Sequence, residues 1–165
     1  MFEQEGDLHN AFSTTDPYIA TSYQSKSEQQ HYKINSPALN LPALYHHRNF
    51  ADYDWQITTE SKIIDGFTCY KARGVIKNFN EQYNQHIEAW FCPAIALPYG
   101  PYIYAGLPGL IFEVYRLDGK ELHWKLKAIE KNKTKSFAVP DAKKTIHYEV
   151  YDKLYDDAIQ KIMRQ

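Results

Sequence analysis

Several features that usually reveal a function are missing or scarce in this sequence. Lysine and arginine number 19 against 20 acidic residues, and this balance argues against a nucleic-acid partner. No run of about 18 apolar residues occurs, so the chain is not expected to span a membrane. The first five residues lack the basic and apolar regions of a signal peptide. Two cysteines are weak evidence for a disulfide.

What is abundant is aromatic residues. They make up 15% of the 165 residues and include 14 tyrosines, which is typical of β-rich proteins. The length fits one domain with a real core. Residues 1–30 are polar and are predicted to be a weakly ordered arm, and residues 31–165 a single β-rich domain. Because no targeting segment is evident, a cytoplasmic protein is one interpretation, and a lost or removed signal is the other.

Alternating polar and apolar residues predict a series of antiparallel strands. Strands are expected from Tyr53 to Glu60, with Trp55 and Ile57 on one face, and from Phe67 to Ile76, joined by a hairpin turn at Asp65-Gly66. A third strand, His86 to Phe91, presents one face to the core and the other, with Trp90, to solvent. Strands 110–117 and 121–130 form a hairpin across Asp118-Gly119, with Trp124 on the apolar face. Tyr18–Tyr23, Tyr32–Ile34 and Leu39–Tyr45 are weaker strand candidates.

The C-terminal segment has the periodicity of an amphipathic helix. Its apolar stripe consists of Tyr151, Leu154, Tyr155, Ala158, Ile159 and Ile162. The predicted fold class is α+β, mainly β: a curved antiparallel meander sheet, half-barrel-like, with this helix covering one sheet face or closing the curved sheet.

The stretch from Pro98 to Leu117 is the organising feature of the chain. Two turn signals, Gly100-Pro101 and Leu107-Pro108-Gly109, enclose a short tyrosine-rich run and lead directly into an apolar strand. Apolar residues flank both turns, which favours a packed corner over a ligand-binding corner. A positive φ at Gly109 is part of this expectation.

The hexapeptide Gly106-Leu107-Pro108-Gly109-Leu110-Ile111 spells GLPGLI, and the chain resembles the GLPGLI family. Asp54 to Ile57 resembles the family's DWxI strand, Cys69 to Ala72 its CxKA segment and Ala89 to Phe91 its AWF strand. Gly100-Pro101 resembles the GP before the hexapeptide. The resemblance implies an exported or cell-envelope protein, in the periplasm or envelope, with no defined enzyme activity or ligand. The short N-terminus departs from the family.

The cysteines and histidines leave several kinds of chemistry open. Cys69 and Cys92 lie on neighbouring predicted strands and are candidates for a disulfide if the protein is exported, or else two small buried hydrophobes. A thiol hydrolase would need one of them beside His86 or His123. A metal-binding accessory protein is a further alternative, although no histidine spacing here is typical of a metal site, and no cofactor is expected.

The function predicted from these residues is non-catalytic binding. Exposed tyrosines and tryptophans are effective contact groups because they bury a large area with few rotors to freeze. The concave sheet face and the tyrosine-rich loop are expected to bind an apolar ligand or a partner protein in the envelope. The candidate contact residues are Trp55, Trp90, Tyr99, Tyr102, Tyr104 and Trp124.

Overall fold

The protein was analysed as a computed structural model, which describes residues 2–4, 7–12, 22–25, 29–34, 45–118, 123–127, 129 and 145–164. In these ranges it has two sheets and one α-helix. The strands are β1 Phe2–Gln4, β2 Asp7–Phe12, β3 Ser22–Ser25, β4 Gln30–Ile34, β5 Tyr45–Asn49, β6 Gln56–Ile64, β7 Phe67–Ile76, β8 Gln85–Cys92, β9 Leu110–Arg116, β10 His123–Lys125 and β11 Thr145–His147. The helix α1 spans Tyr148–Met163, and short 3₁₀ turns occupy Phe50–Tyr53 and Glu81–Tyr83.

The first sheet has six strands in the order β1-β2-β3-β4-β5-β11. Its first five strands form an antiparallel meander, whereas β11 joins the edge of β5 in parallel, with Tyr45 opposite Thr145 and His47 opposite His147. The second sheet therefore lies between β5 and β11 in sequence, as an insertion into the first.

The second sheet is an antiparallel meander in the order β10-β9-β8-β7-β6. The predicted turn between β6 and β7 is confirmed: Asp65 and Gly66 have φ of 49° and 83°, as a tight two-residue hairpin requires. A register shift between Ile57 and Ser61 interrupts β6. Ile57 was expected on the half-buried face, but 53% of it is exposed. It pairs opposite the buried Ala72, but β6 is the edge strand of this sheet and has a neighbouring strand on one side only.

The core lies on one face of the second sheet and beneath the loop that follows β8. The alternation in β8 predicts three buried residues, and the structure buries all three: Ile87, Ala89 and Phe91. Val114 of β9, which is also buried, lies directly opposite Ala89 in the register. Glu88 and Trp90 lie on the opposite face and are only partly buried. In β8 the alternation thus fixes which side of the strand faces the core.

The stretch from Pro98 to Gly109 is a packed corner. Its backbone is paired internally and with β9, since Gly106 N donates to Pro98 O at 2.9 Å and Ile111 N to Tyr99 O at 2.9 Å. Gly109 does not have the expected positive φ; in this corner Gly106 does, at 92°. Gly109 is required for a different reason, because a Cβ there would lie 2.3 Å from the carbonyl oxygen of Cys92.

The helix α1 contains the whole predicted apolar stripe, but most of that stripe is not covered by the sheet. Tyr151 is buried, whereas Leu154, Tyr155 and Ile162 are 39%, 42% and 49% exposed. The helix contacts the first sheet mainly through β5 and β11 near its N-terminus. Within the described ranges, no helix is both long and apolar enough to cross a bilayer.

The predicted fold class is confirmed: the protein is mainly β and largely antiparallel, with one C-terminal helix, and the strands divide between two open sheets. The predicted strand at 32–34 is present as part of β4. The division of the chain at residue 30 stays a prediction, although β1, β2 and β3 pair into the first sheet. Residues 18–21 and 39–44, and Gly119 of the predicted hairpin turn, lie outside the described residues.

Candidate functional site

The tyrosine-rich loop turns its rings into the protein. Tyr99 and Tyr104 are fully buried, and burial raises the pKa of Tyr104 to about 12. Neither ring is exposed to contact a ligand. Tyr102 is half-buried and has a φ of 54°, an uncommon backbone conformation for a tyrosine.

A single glutamine side chain from the first sheet holds the corner. Gln24 Nε2 donates to the carbonyl oxygens of Gly100 at 3.0 Å, Tyr102 at 3.0 Å and Tyr104 at 3.3 Å. Its Oε1 accepts from Gly100 N at 3.1 Å. Gln24 is itself buried, so one side chain satisfies backbone groups that would otherwise be costly to bury.

Two further aromatic side chains hold the same loop. The Tyr53 hydroxyl donates to Ile103 O, and Trp55 Nε1 donates to Ala105 O at 2.8 Å. The ring of Trp55 lies over Gly74, where a Cβ would approach it to 2.7 Å. Trp55 therefore links the corner to β7 by packing on Gly74 and donating to Ala105 O.

The three tryptophans do not share one face. Trp124 pairs opposite Val114 of β9 and stacks on Tyr102 with ring centroids 6.3 Å apart. Trp90 pairs opposite Lys71 and Glu113, whose side chains point to the other side of the sheet. Among the predicted contact residues, the structure brings together only Tyr102 and Trp124 as a half-buried pair.

Trp90 belongs to a polar face in which acids and lysines pair with one another. Lys62 Nζ and Lys71 Nζ lie 4.3 and 5.1 Å from the Trp90 ring centroid. Lys62 also contacts Glu113 Oε2 at 2.6 Å. Burial opposes ionisation of Glu113, but hydrogen bonds from Lys62 and Tyr115 outweigh it and lower the pKa of its carboxyl group. The acidic and basic side chains of this face therefore form ion pairs with one another.

Cys69 and Cys92 are free, fully buried thiols. They adjoin the register pair Tyr70 and Phe91 on β7 and β8, so the strand neighbours predicted from sequence are neighbours in the fold. Burial, reinforced by the charge of Cys92 and a hydrogen bond with it, raises the pKa of Cys69 to about 11. A thiol with so high a pKa is a poor nucleophile near neutral pH.

The histidines of β5 and β11 meet beside each other. His47 Nδ1 lies 2.9 Å from Thr145 Oγ1, and its ring packs edge-on against His147 at 5.5 Å. Burial and the neighbouring His147 lower the pKa of His47, and Asp52 opposes them. No group of three His, Cys, Asp or Glu side chains positioned to hold a metal occurs in the part of the chain that the structure describes.

A cleft that sequence reasoning missed lies between α1 and the connection from β7 to β8. Its volume is about 570 Å³. The apolar lining consists of Phe79, Tyr83, Tyr151, Tyr155 and Ile159, and the polar lining of Asn78, Asn80, Asp152 and Asp156. Two features of the sequence could have indicated this cleft. One is the apolar stripe of the helix, and the other is the pair of aromatic residues, Phe79 and Tyr83, in an otherwise polar connection.

Asparagine side chains fix the wall of this cleft opposite the helix. Asn78 N donates to Asn84 Oδ1 at 2.8 Å, and Asn78 Nδ2 donates to Tyr83 O at 2.6 Å. Asn80 Oδ1 accepts from Gln82 N at 3.2 Å and caps the short 3₁₀ turn. Phe79 and Tyr83 are thus held in place while about half of each remains exposed.

A second depression, of about 580 Å³, lies at the other end of the second sheet, beside Phe67, Phe112 and Leu126. Phe67 and Phe112 pack edge-on with centroids 5.6 Å apart. Ile129 also lines this depression, and residues 130–144 lie outside the described residues.

The central part of the chain is similar to a known family. It matches the family model "Protein of unknown function (Porph_ging)" over residues 76–113. The match includes β8, the packed corner and the first strand residues after it. No curated protein matches the chain.

Solved structures show where the fold occurs elsewhere. PNGF-II in the C2 space group is similar with a TM-score of 0.52 at 19% identity, and a second crystal form of PNGF-II gives 0.51 at 19% identity. Each alignment covers 94% of this chain and 29% of the PNGF-II chain. The chain therefore spans less than a third of that protein, and the likeness shows the fold alone.

Proposed function

We propose that the protein is a non-catalytic cell-envelope protein that binds an apolar ligand in the cleft between α1 and the β7–β8 connection. The observation that carries this proposal is the exposure of aromatic side chains on both walls of that cleft. The envelope location, in the periplasm or attached to the envelope, rests on the resemblance to the GLPGLI family, whose hexapeptide lies inside the matched residues 76–113.

The dimensions of the cleft support a small ligand. Its volume of about 570 Å³ falls within the range of roughly 300–1,000 Å³ that is usual for small-molecule sites. Tyr151 and Tyr155 stack with centroids 6.2 Å apart and an interplanar angle of 28°, which gives the helix wall a broad apolar surface. Two asparagines and two aspartates supply polar groups beside the aromatic rings, and ligand sites commonly combine an apolar lining with a small number of polar groups.

A partner protein is the second candidate. Beyond the cleft, the same helix exposes Leu154, Ile162 and Met163, and contiguous apolar surface of this kind marks many protein interfaces. A partner would bury the C-terminal half of α1, whereas a small ligand would contact only the side that faces Phe79.

The alternatives of a thiol hydrolase and a metal-binding accessory protein have weaker support. A hydrolase needs an accessible thiolate, and both thiols are buried, with the pKa of Cys69 raised to about 11. The rings of His47 and His147 pack together, but no group of three side chains positioned to hold a metal occurs in the described ranges.

Native mass spectrometry of the protein purified gently from its own cells tests the proposal. We expect a retained mass above that of the chain, lost on denaturation, and recovery of the protein with the cell envelope. We also expect the neutral fluorescent probe N-phenyl-1-naphthylamine to bind the ligand-free protein.

The variant Tyr155→Ser should weaken probe binding about tenfold, since it removes one aromatic wall of the cleft. Ile63→Ser is the matched control, because Ile63 is 67% exposed on β6 and does not line the cleft. A protein that retains no extra mass and binds no probe, or two variants that behave alike, would overturn the proposal. A bound protein chain in the native complex would favour the second candidate.

A further inference from the structure

We propose that protons control the attachment of the C-terminal segment, residues 145–163, to the first sheet, and that mild acid releases it. This segment consists of β11 and α1. A pair of histidines carries the inference, one on each side of the contact. His47 of β5 lies opposite His147 of β11 in the parallel register, and their ring centroids are 5.5 Å apart. Histidine is the side chain that ordinarily changes its charge between about pH 5 and 8.

The C-terminal segment is attached along a narrow contact. β11 has three residues and pairs with the edge of β5 at the end of the sheet. The helix α1 reaches the sheet mainly near its N-terminus, and its later residues Leu154 and Ile162 are exposed. An element with few buried contacts can open while the rest of a protein stays folded. Release of this segment therefore does not require the second sheet to unfold.

Two neighbours of His47 on β5 hold aromatic residues of α1. The ring of His46 stacks on Tyr151 with centroids 4.6 Å apart. The guanidinium carbon of Arg48, a buried residue, lies 3.3 Å from the ring centroid of Tyr148. Because arginine stays charged at every pH of interest, the contact already contains one permanent positive charge before either histidine takes up a proton.

The surroundings of His47 oppose its protonation. Its Nδ1 lies 2.9 Å from Thr145 Oγ1, and its ring is half-buried. Burial and the charge of His147 lower the pKa of His47, and Asp52 opposes them. A proton on His47 is therefore less favourable in the attached segment than in water.

The neighbouring strand β4 adds no negative charge to this contact. Tyr32 lies opposite His47 in the register, with ring centroids 6.2 Å apart. His31 and Lys33 occupy the register positions on either side of Tyr32. The sequence of β4 contains no acidic residue, so a charge on His47 gains no counterion from this strand.

The carboxylates at the contact are directed at the other histidine. His147 Nε2 lies 3.5 Å from Asp52 Oδ2, and His147 Nδ1 lies 3.6 Å from Glu149 Oε2. The ring of His147 also packs on Tyr148 with centroids 4.5 Å apart. These acids can balance a positive charge on His147, but the same charge opposes a second one on His47.

The direction of the pH effect follows from His47. Its pKa in the attached segment lies below the ordinary value of 6.5, and release returns the ring to water, where the ordinary value applies. The released state therefore binds more protons. Attachment is complete above about pH 6.5 and weakens as the pH falls below that value.

Release also has a consequence for the α1 cleft. The helix forms one wall of the cleft through Tyr151 and Tyr155, so a ligand bound there would lose that wall in acid. This consequence rests on the proposed function, whereas the release of the segment does not.

Hydrogen exchange of the full chain, followed by mass spectrometry at about pH 7.5 and about pH 5.5, tests the release. After correction for the intrinsic exchange rate at each pH, residues 145–163 should lose about fivefold in protection at the lower pH. The strand β8 should keep its protection, because the second sheet does not depend on this segment for its pairing.

His47→Asn removes the titrating ring and keeps a side chain that can bond to Thr145. Residues 145–163 should then be equally protected at both pH values, within about twofold. His86→Asn is the matched control, since His86 is an exposed histidine of β8, and it should leave the loss in acid unchanged. If His47→Asn does not fold, His147→Asn takes its place and should reduce the loss by about half. His147 is the N-cap of α1, a position that asparagine occupies well.

Equal protection of residues 145–163 at the two pH values would overturn the inference, as would an unchanged loss in acid in the histidine variants of the contact. A matching loss in β8 would also overturn it, because the whole protein would then be unfolding. Binding of N-phenyl-1-naphthylamine at both pH values tests the cleft separately. Weaker binding in acid is expected. Unchanged binding despite release would overturn the consequence for the cleft, and absence of binding at both pH values would overturn the proposed function and leave the release standing.

Discussion

Two regions of this protein are rich in aromatic residues, but one region buries most of them and the other exposes most of them. The corner from Pro98 to Gly109 carries three tyrosines and buries two of them. The helix α1 and its neighbouring connection expose Phe79, Tyr83 and Tyr155. Composition alone would have assigned the contact role to the corner. The comparison teaches that tyrosines in a turn-rich segment become structural when other side chains bind that segment's backbone.

The largest expected effect comes from the closest backbone approach in the corner. Gly109→Val should destabilise the protein by more than about 3 kcal/mol or prevent folding, because overpacking here pushes a side chain into backbone rather than into a soft contact. The Cβ alone would lie 2.3 Å from Cys92 O. Urea unfolding monitored by tryptophan fluorescence measures the change.

Gly66→Ala serves as the control for that experiment. Gly66 has a φ of 83°, but a Cβ added to it would meet nothing within 4 Å, so only backbone strain of about 1 kcal/mol is expected. If Gly109→Val were as mild as Gly66→Ala, the corner would be looser than its packing indicates.

The next effect comes from the glutamine that holds the corner. Gln24→Leu removes every hydrogen bond that this buried side chain makes to Gly100, Tyr102 and Tyr104. We expect a loss of about 3 kcal/mol, since three buried backbone groups are left unpaired at a cost of about 1–3 kcal/mol each, whereas the part-buried carbonyl of Tyr102 can bind water instead. Chemical unfolding measures the change in the free energy of unfolding. Faster hydrogen exchange at the Gly100 amide would show that the corner is the part that has been destabilised. A loss below about 1 kcal/mol would mean that water replaces the side chain.

A smaller effect should appear at alkaline pH. The folded protein raises the pKa of Cys69 from 9.0 to about 11, so the unfolded chain releases this proton first. Stability from this group is therefore complete below about pH 9 and is lost as the pH rises to about 11, by about 2 kcal/mol at most. Unfolding free energies measured across this range under reducing conditions give the slope, and Cys69→Ala should reduce it, leaving the part that buried tyrosines such as Tyr104 contribute.

The same experiment tests the predicted disulfide. In oxidised protein, a bond between Cys69 and Cys92 would remove the titrating thiol, and the slope should fall without any substitution to the part that the buried tyrosines contribute. Mass spectrometry after alkylation counts the thiols in each sample. Two alkylated cysteines in protein taken from its own cells, without reduction, would contradict the disulfide.

The smallest effect is expected on the helix. Tyr155→Ser should change the free energy of unfolding by no more than about 0.5 kcal/mol, because the ring is 42% exposed and exposed positions contribute little. A small change for Tyr155→Ser together with a large change for Gln24→Leu would show that the corner contributes much more to stability than the exposed side of the helix. A loss above about 2 kcal/mol would show that the helix stripe is covered in solution.

Local patterns predicted the second sheet well because its partners are close in sequence. Asp65-Gly66 fixes the β6–β7 hairpin, and alternation in β8 assigns Ile87 and Trp90 to opposite faces. The register shift near Ile57 was not predictable, since a bulge depends on pairing across two strands rather than on one strand's pattern.

Longer-range features escaped sequence reasoning for a physical reason. Gln24 lies in a polar stretch, and nothing near it in sequence signals that it will bind a corner 76 residues away. The helix periodicity identified the apolar stripe of α1 but not which element would pack against it. The cleft lies along the part of the stripe that the sheet leaves uncovered. Trp55, Trp90 and Trp124 were grouped by residue type, whereas the register separates them.

The parallel contact between β5 and β11 has a consequence for the order of assembly. Each strand of the second sheet pairs with a neighbour that precedes or follows it directly, so this sheet can form while the chain is still being synthesised. The first sheet gains its last strand only when residues 145–147 arrive. A nascent chain would therefore present the unpaired edge of β5 until residues 145–147 emerge.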